Sequence, residues 1–484
     1  MNRLRISVVC VLSMFLPWSV AGCAGAGYVS SPASAARVLA GPTLLSLSEL
    51  SIETLRRRQY KSKIQIVEPL TRPCTPGEAS GEHPTDALRY MGAYLSEGQR
   101  VYTRIDIPSG VAPAQGFPVI VFAHGWVGVD EAADWHFGCS VESIYADMIA
   151  AWVSAGYVVL APGYRGHGTV QGVQAEGIED VEAWDNGAYL MPTFYAVDVL
   201  NLLAGIENLE GSRFDNDREP LRVDAGRVFV NGHSQGGDVA LTVLAAVGEG
   251  ASSGLQVAGG SIWAGNIADR PTQLATFDPM QSVPDSFLSG DGSWTGTARG
   301  QDGSVNPDFV FGYPSDWIET PDPSEWTWQN EKWNRPSVRD ALEAKAREMY
   351  ETINARVDDL GDLSWSIETY PNGASHIVHD PRAIASLLAI GGYDAPKYLS
   401  EPLNLHHSDH DFYSLPEWNA SLCRRVNEAG GQCVDYTYPG NTHSFKLSDH
   451  DWFSPEGSVA GYDAIVANDL ARFGSGRFEP DQGP

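Results

Sequence analysis

The hydrophobic pattern changes character several times along the chain. Ile6 to Val20 is an almost unbroken apolar run behind the basic residues Arg3 and Arg5. It is too short and too punctuated for a stable membrane span and fits a secretory signal. From about residue 100, short β-branched runs alternate with longer amphipathic stretches, the rhythm of βαβ units around a mostly parallel sheet. The spacing predicts strands at 119–123, 157–161, 227–231 and near 257–263, with helices over 141–155, 188–209 and 235–247. In the second of these helices Phe194, Val197, Leu200 and Leu203 share one side. Between 265 and 397 the alternation fails. That stretch is rich in Pro, Asp, Gly and Trp, holds one clear helix around 336–356, and reads as an inserted cap or lid. Strands at 402–406 and 433–438 and helices near 416–429 and 459–473 then restore the rhythm. The predicted organisation is a signal peptide (1–23), a tether and N-terminal extension (24–60), a first core part (61–264), the insertion (265–397), a second core part (398–475) and a tail (476–484). No internal repeat is apparent.

Composition bounds what such a chain can do. With 484 residues, 43% of them hydrophobic, it can bury one large core and still carry a substantial extra region. Its 61 acidic residues outnumber 32 basic ones, for a formal net charge of -29. That surface repels phosphate backbones, so nucleic-acid binding is disfavoured. The 14 Trp, 19 Tyr and 16 Phe argue against reading the acidity as disorder.

Six cysteines refine the export reading. Val20-Ala21-Gly22-Cys23 resembles a bacterial lipobox. That resemblance implies that Cys23 is lipid-modified, becomes the new N-terminus and anchors the protein in the cell envelope. The alternative is an ordinary signal cut nearby, giving a secreted protein. Cys10 would leave with the signal, so Cys74, Cys139, Cys423 and Cys433 remain. An even remainder in an exported chain suggests two disulfides, against the alternative of four buried thiols. Three pairings are possible. The preferred set is 74–139 with 423–433, the latter joining a helix to the strand that follows it.

The strongest chemical signal is Gly232-His233-Ser234-Gln235-Gly236-Gly237, between an apolar strand and a helix. A strained strand-to-helix turn would thrust the Ser234 hydroxyl above the sheet, with glycines on both sides removing Cβ clashes. The helix start also offers free N–H groups to a developing oxyanion. Upstream, Phe122-Ala123-His124-Gly125-Trp126 ends an earlier strand. A serine needs an imidazole to take its proton and a carboxylate to orient that imidazole. Of twelve His, the best placed is His443, in Tyr438-Pro439-Gly440-Asn441-Thr442-His443, just after the last clear strand. Just beyond the preceding strand stands His406-His407-Ser408-Asp409-His410-Asp411, which offers carboxylates.

Together these motifs resemble the α/β-hydrolase superfamily over residues 100–264 and 398–475, about half of the chain. The resemblance implies an α/β-hydrolase fold and a triad of Ser234, Asp411 and His443. The acid assignment aligns Ser408 with a family glycine, and Asp409 is the alternative. It also implies an oxyanion hole from the backbone N–H groups of Trp126 and Gln235, with His124 supporting that loop. Ala161-Pro162-Gly163-Tyr164-Arg165-Gly166-His167-Gly168 resembles another loop of the family, with Gly163 where Asp is usual. A metal site in the His406–Asp411 cluster is disfavoured, since adjacent His on a strand point to opposite faces. The expected activity is hydrolysis of a small-molecule or lipid carboxylic ester, without cofactor. The rivals are a prolyl-oligopeptidase-like peptidase and an inactive binding protein on the same fold.

Overall fold

The structure is a computed structural model that describes residues 45–70, 87–138, 144–184, 190–214, 219–270, 273, 336–369, 375–408, 414, 416–438, 443 and 462–474. Its strands are β1 (Gln65–Pro69), β2 (Leu88–Ser96), β3 (Gln99–Ile107), β4 (Phe117–Ala123), β5 (Val158–Pro162), β6 (Thr169–Val170), β7 (Val173–Gln174), β8 (Val223–His233), β9 (Gly259–Trp263), β10 (Trp365–Thr369), β11 (Ser375–His379), β12 (Leu403–Ser408) and β13 (Cys433–Tyr438). Nine of them form one sheet in the order β1-β2-β3-β5-β4-β8-β9-β12-β13. The six strands from β5 to β13 in that order pair in parallel, and β1, β2 and β3 are joined antiparallel at the other edge. β6–β7 and β10–β11 are separate hairpins.

The central strands read as continuous apolar runs because both faces of the sheet are covered. Val119, Val121 and Ala123 of β4 join a large core under the helices Met191–Gly205, Gln235–Val247 and Pro416–Glu428. Ile120 and Phe122 point the other way, into a second core with Met148, Trp152 and Ile465 from the helices Ile144–Ser154 and Tyr462–Phe473. Alternate side chains therefore serve opposite layers, the period of two that a strand imposes.

The three antiparallel strands at the edge were not foreseen. In β3 the reason is Arg104 and Asp106, which are buried as a bidentate pair with N···O distances of 2.6 and 2.8 Å. Charges at inward positions break the apolar alternation that marks a strand. Leu47, Leu50, Ile52 and Leu55, upstream of the sheet, are also buried in the larger core. Arg56 donates from there to the carbonyls of Ala245 (2.7 Å) and Glu249 at the end of the helix Gln235–Val247.

The predicted insertion is described only in part. The helix Pro336–Arg356 contributes Ala346, Met349, Tyr350 and Ile353 to the larger core, and the helix Pro381–Ile390 adds Ala383, Leu387 and Ile390. Trp365 stacks with Tyr350 at 6.2 Å. The other five Trp residues of that stretch lie outside the described residues. Among the described residues, no helix is long and apolar enough to cross a membrane.

Candidate active site

β8 ends at His233 and the next helix begins at Gln235, so Ser234 alone makes the turn between them. Its φ of 55° and ψ of -125° lie where a side chain is normally strained. Neighbouring backbone holds it there. Its carbonyl accepts from the N–H groups of Gly237 and Asn266, both at 2.9 Å, and its N–H donates to the Trp263 carbonyl at 3.3 Å. The motif's first glycine is required by contact, since a Cβ on Gly232 would lie 2.1 Å from the Gly236 carbonyl oxygen. From Val228 to Val247, Ser234 is the one residue that is not buried.

His443 meets it from the loop beyond β13. Its Nε2 lies 3.0 Å from Ser234 Oγ, within hydrogen-bond reach for proton transfer. A serine at the turn leaving a central parallel strand, met by an imidazole delivered after the last strand, decides the architecture. The chain has the α/β-hydrolase fold. As expected of that fold, the functional groups gather beyond the carboxyl ends of the parallel strands.

The loop after β4 supplies the wall beside Ser234. A Cβ on Gly125 would come within 2.8 Å of Tyr145 Oη and 3.1 Å of Ser234 Cβ, so only glycine lets this backbone approach. The polar groups of the loop are engaged one by one. Gly125 N–H donates to Tyr145 Oη at 2.9 Å, and Tyr164 Oη–H donates to the His124 carbonyl at 3.1 Å. His124 Nδ1–H donates to the Gly125 carbonyl at 2.7 Å. In a trans peptide the N–H points opposite to the C=O, so holding the Gly125 oxygen also fixes the direction of Trp126 N–H. Among the described residues neither Trp126 N–H nor Gln235 N–H meets an acceptor. Gln235 opens its helix, where no intrahelical acceptor exists. Trp126 is 61% exposed.

Burial keeps the histidines behind this wall neutral. It lowers His124 to about 3, an effect reinforced by His167 alongside, and lowers His167 to about 4. His124 is clasped between Trp135 (4.2 Å) and Tyr164 (4.3 Å), and Tyr164 stacks in turn on Tyr195 at 4.4 Å. His124 thus supports the loop and stands apart from the Ser–His contact.

The departure at Gly163 has a physical reason. A Cβ there would stand 2.6 Å from the Phe137 ring, which fills the space a larger residue would need. The next residues anchor the loop below. Arg165 is buried against Asp198 (2.8 Å), Glu97 (3.0 Å) and Asp180 (3.2 Å). Burial alone would lower its pKa, but the three carboxylates, Asp198 foremost, raise it.

Asp411 and its alternative Asp409 lie outside the described residues, as do Cys23, Cys74 and Cys139. The pairing of Cys423 with Cys433 is present and joins the helix Pro416–Glu428 to β13. His406 and His407 point to opposite faces of β12. His406 lies between Tyr438 Oη (2.8 Å) and Asp469 Oδ1 (3.0 Å), while His407 reaches Asp435 at 2.8 Å. No cluster of His, Cys, Asp or Glu among the described residues could hold a metal ion. Sequence reasoning missed Tyr145 and gave no role to His233. Nothing marks Tyr145 in the sequence, although His233 stands inside the motif itself.

No family model and no curated protein matches the chain. Solved α/β-hydrolase structures resemble it at low identity. The rice cell wall degrading esterase LipA from Xanthomonas oryzae is 14% identical, with 85% of this chain and 97% of that one covered and a TM-score of 0.43. Acetyl xylan esterase 1 from Thermoanaerobacterium sp. JW/SL YS485 is 13% identical, with 82% and 88% covered and a TM-score of 0.41. An acylaminoacyl peptidase of Pyrococcus horikoshii is 14% identical with a TM-score of 0.44; 87% of this chain is covered but 49% of the peptidase. The strand order and the Ser234 turn of this chain carry the fold assignment by themselves.

Proposed function

We propose that this protein is an exported serine hydrolase that cleaves carboxylic esters through an acyl-enzyme on Ser234. The observation that carries the reading is the 3.0 Å contact between His443 Nε2 and Ser234 Oγ on a strained, otherwise buried turn. In the proposed reaction His443 takes the hydroxyl proton as Ser234 Oγ attacks the acyl carbonyl. Trp126 N–H and Gln235 N–H receive the developing oxyanion, and removing one such donor costs about 10²–10³-fold in kcat in enzymes of this kind. His443 then returns the proton to the leaving alcohol. Water, deprotonated by the same imidazole, releases the acid and restores Ser234. Asp411 is the proposed partner that orients His443 and stabilises its cation. Cys23 is proposed to carry the lipid that anchors the mature protein to the cell envelope.

Labelling with a fluorophosphonate, followed by peptide mapping, tests the nucleophile. The wild-type protein should label at Ser234, and Ser234→Ala should lose the label. A folded wild type that does not label overturns the reading in favour of a binding role. Turnover of a short-chain nitrophenyl ester should then exceed that of an aminoacyl nitroanilide, and the reverse order would make the protein a peptidase.

A further inference from the structure

The wall beside Ser234 contains a chain of hydrogen bonds that the reaction above does not use. His233 Nε2 lies 2.9 Å from the backbone carbonyl of His443. A carbonyl can only accept, so the proton sits on Nε2 and Nδ1 is left as an acceptor. Nδ1 lies 2.8 Å from Tyr145 Oη, which must therefore donate to it. The same oxygen accepts the Gly125 N–H at 2.9 Å. Each proton has one consistent place, running from Gly125 through Tyr145 and His233 to His443. Burial, with the neighbouring His443 second, holds His233 well below the ordinary imidazole range and in this neutral form.

The three segments joined in this way come from different strands. Gly125 follows β4, His233 ends β8, and His443 lies beyond β13. The Tyr145 ring packs among Phe122 (5.2 Å), His233 (5.5 Å), Trp135 (6.2 Å) and Trp263 (6.2 Å). Its hydroxyl adds the hydrogen bonds that tie Gly125 to His233. We propose that Tyr145 and His233 are positioning residues that hold the Trp126 N–H and the His443 imidazole in register across Ser234. The proposal rests on the reading of Ser234 as a nucleophile. It assigns the hydroxyl of Tyr145 a role in stabilising the transition state without contact to substrate.

Tyr145→Phe removes one oxygen and keeps the ring packing. Against a nitrophenyl ester its kcat should fall about 10- to 100-fold while KM stays within about twofold, because only the transition state needs the aligned donors. Affinity for a trifluoromethyl ketone, which mimics the tetrahedral adduct, should fall by the same factor as kcat/KM. Amide exchange at Gly125 should accelerate. A double variant with His233→Phe should lose little more than the worse single one, because the residues act as one unit. Wild-type kcat and unchanged Gly125 exchange in a folded Tyr145→Phe would overturn the proposal, as would additive losses. If Tyr145→Phe does not fold, His233→Phe serves for the same kcat and KM comparison. Failure of the wild type to label with fluorophosphonate would remove the catalytic reading alone, and Gly125 exchange would still decide whether the relay exists.

Discussion

Gly236 is seated directly on the end of β4, where a Cβ would stand 2.2 Å from the Ala123 carbonyl oxygen and 2.4 Å from that of His124. The first turn of the helix Gln235–Val247 and the loop after β4 are therefore locked together through backbone.

Gly236→Ala sets two effects against each other. Helix propensity alone would stabilise by about 1 kcal/mol. Collision with backbone cannot be relieved by a side-chain rotation, and overpacking of this kind costs about 1–3 kcal/mol. The variant should therefore melt below the wild type and lose about 10²-fold in kcat/KM as Ser234 and the loop after β4 move apart. A variant more stable than the wild type would show that the contact yields freely.

Arg165 answers for three carboxylates at once. Arg165→Met keeps the bulk of the side chain and leaves Asp198, which is fully buried, without its cation. Loss of one partner from a buried pair costs about 3–5 kcal/mol. Denaturant titration should show that loss, and Arg165→Met with Asp198→Asn should recover part of it. A single variant within about 1 kcal/mol of wild type would contradict the burial.

Acid should loosen the wall beside Ser234. His124, His167 and His233 are all lowered by burial, the first two to about 3 and about 4. In the unfolded chain each titrates near 6.5, so the unfolded state binds more protons once pH drops below that value. Their effect is absent above about pH 6.5 and grows as pH falls toward the folded values, reaching about 2 kcal/mol at pH 5 for each of His124 and His167, with His233 acting in the same direction. Melting temperature should decline steeply from pH 7 to 5. A flat profile over that range would mean that these rings are solvated.

The bond between Cys423 and Cys433 closes a loop with a sequence separation of 10. Chain entropy for such a loop predicts about 2–3 kcal/mol of stability. Reduction, or the pair Cys423→Ser and Cys433→Ser, should lower the melting temperature accordingly. Because the bond holds the start of β13, whose far end leads to His443, activity should fall at a lower temperature as well. Equal stability with and without dithiothreitol would remove this role.

What the sequence reveals depends on how local the cause is. The helix Gln235–Val247 and the strand Cys433–Tyr438 appear at their predicted bounds, because turn residues and apolar runs mark them directly. Ser234 and His443 could be read from their positions after strands, even though the contact joins distant parts of the chain. β3 was hidden because Arg104 and Asp106 neutralise each other at inward positions, a pairing visible only once the strand has neighbours. The reason for Gly163 in place of Asp is not local either, since the ring that fills its space belongs to Phe137, in another loop. Tyr145 was illegible for a related reason: its hydroxyl bridges residues from two other segments, and no spacing within its own helix records that.

Since Ser234 is the lone accessible residue between Val228 and Val247, a visiting molecule touches one side chain of that stretch and none of the machinery that holds it. Choice among substrates must then be written in the loops that surround the hydroxyl, which can vary without disturbing the turn. Evolution, or an engineer, could retune what this protein accepts while leaving its reactive centre untouched.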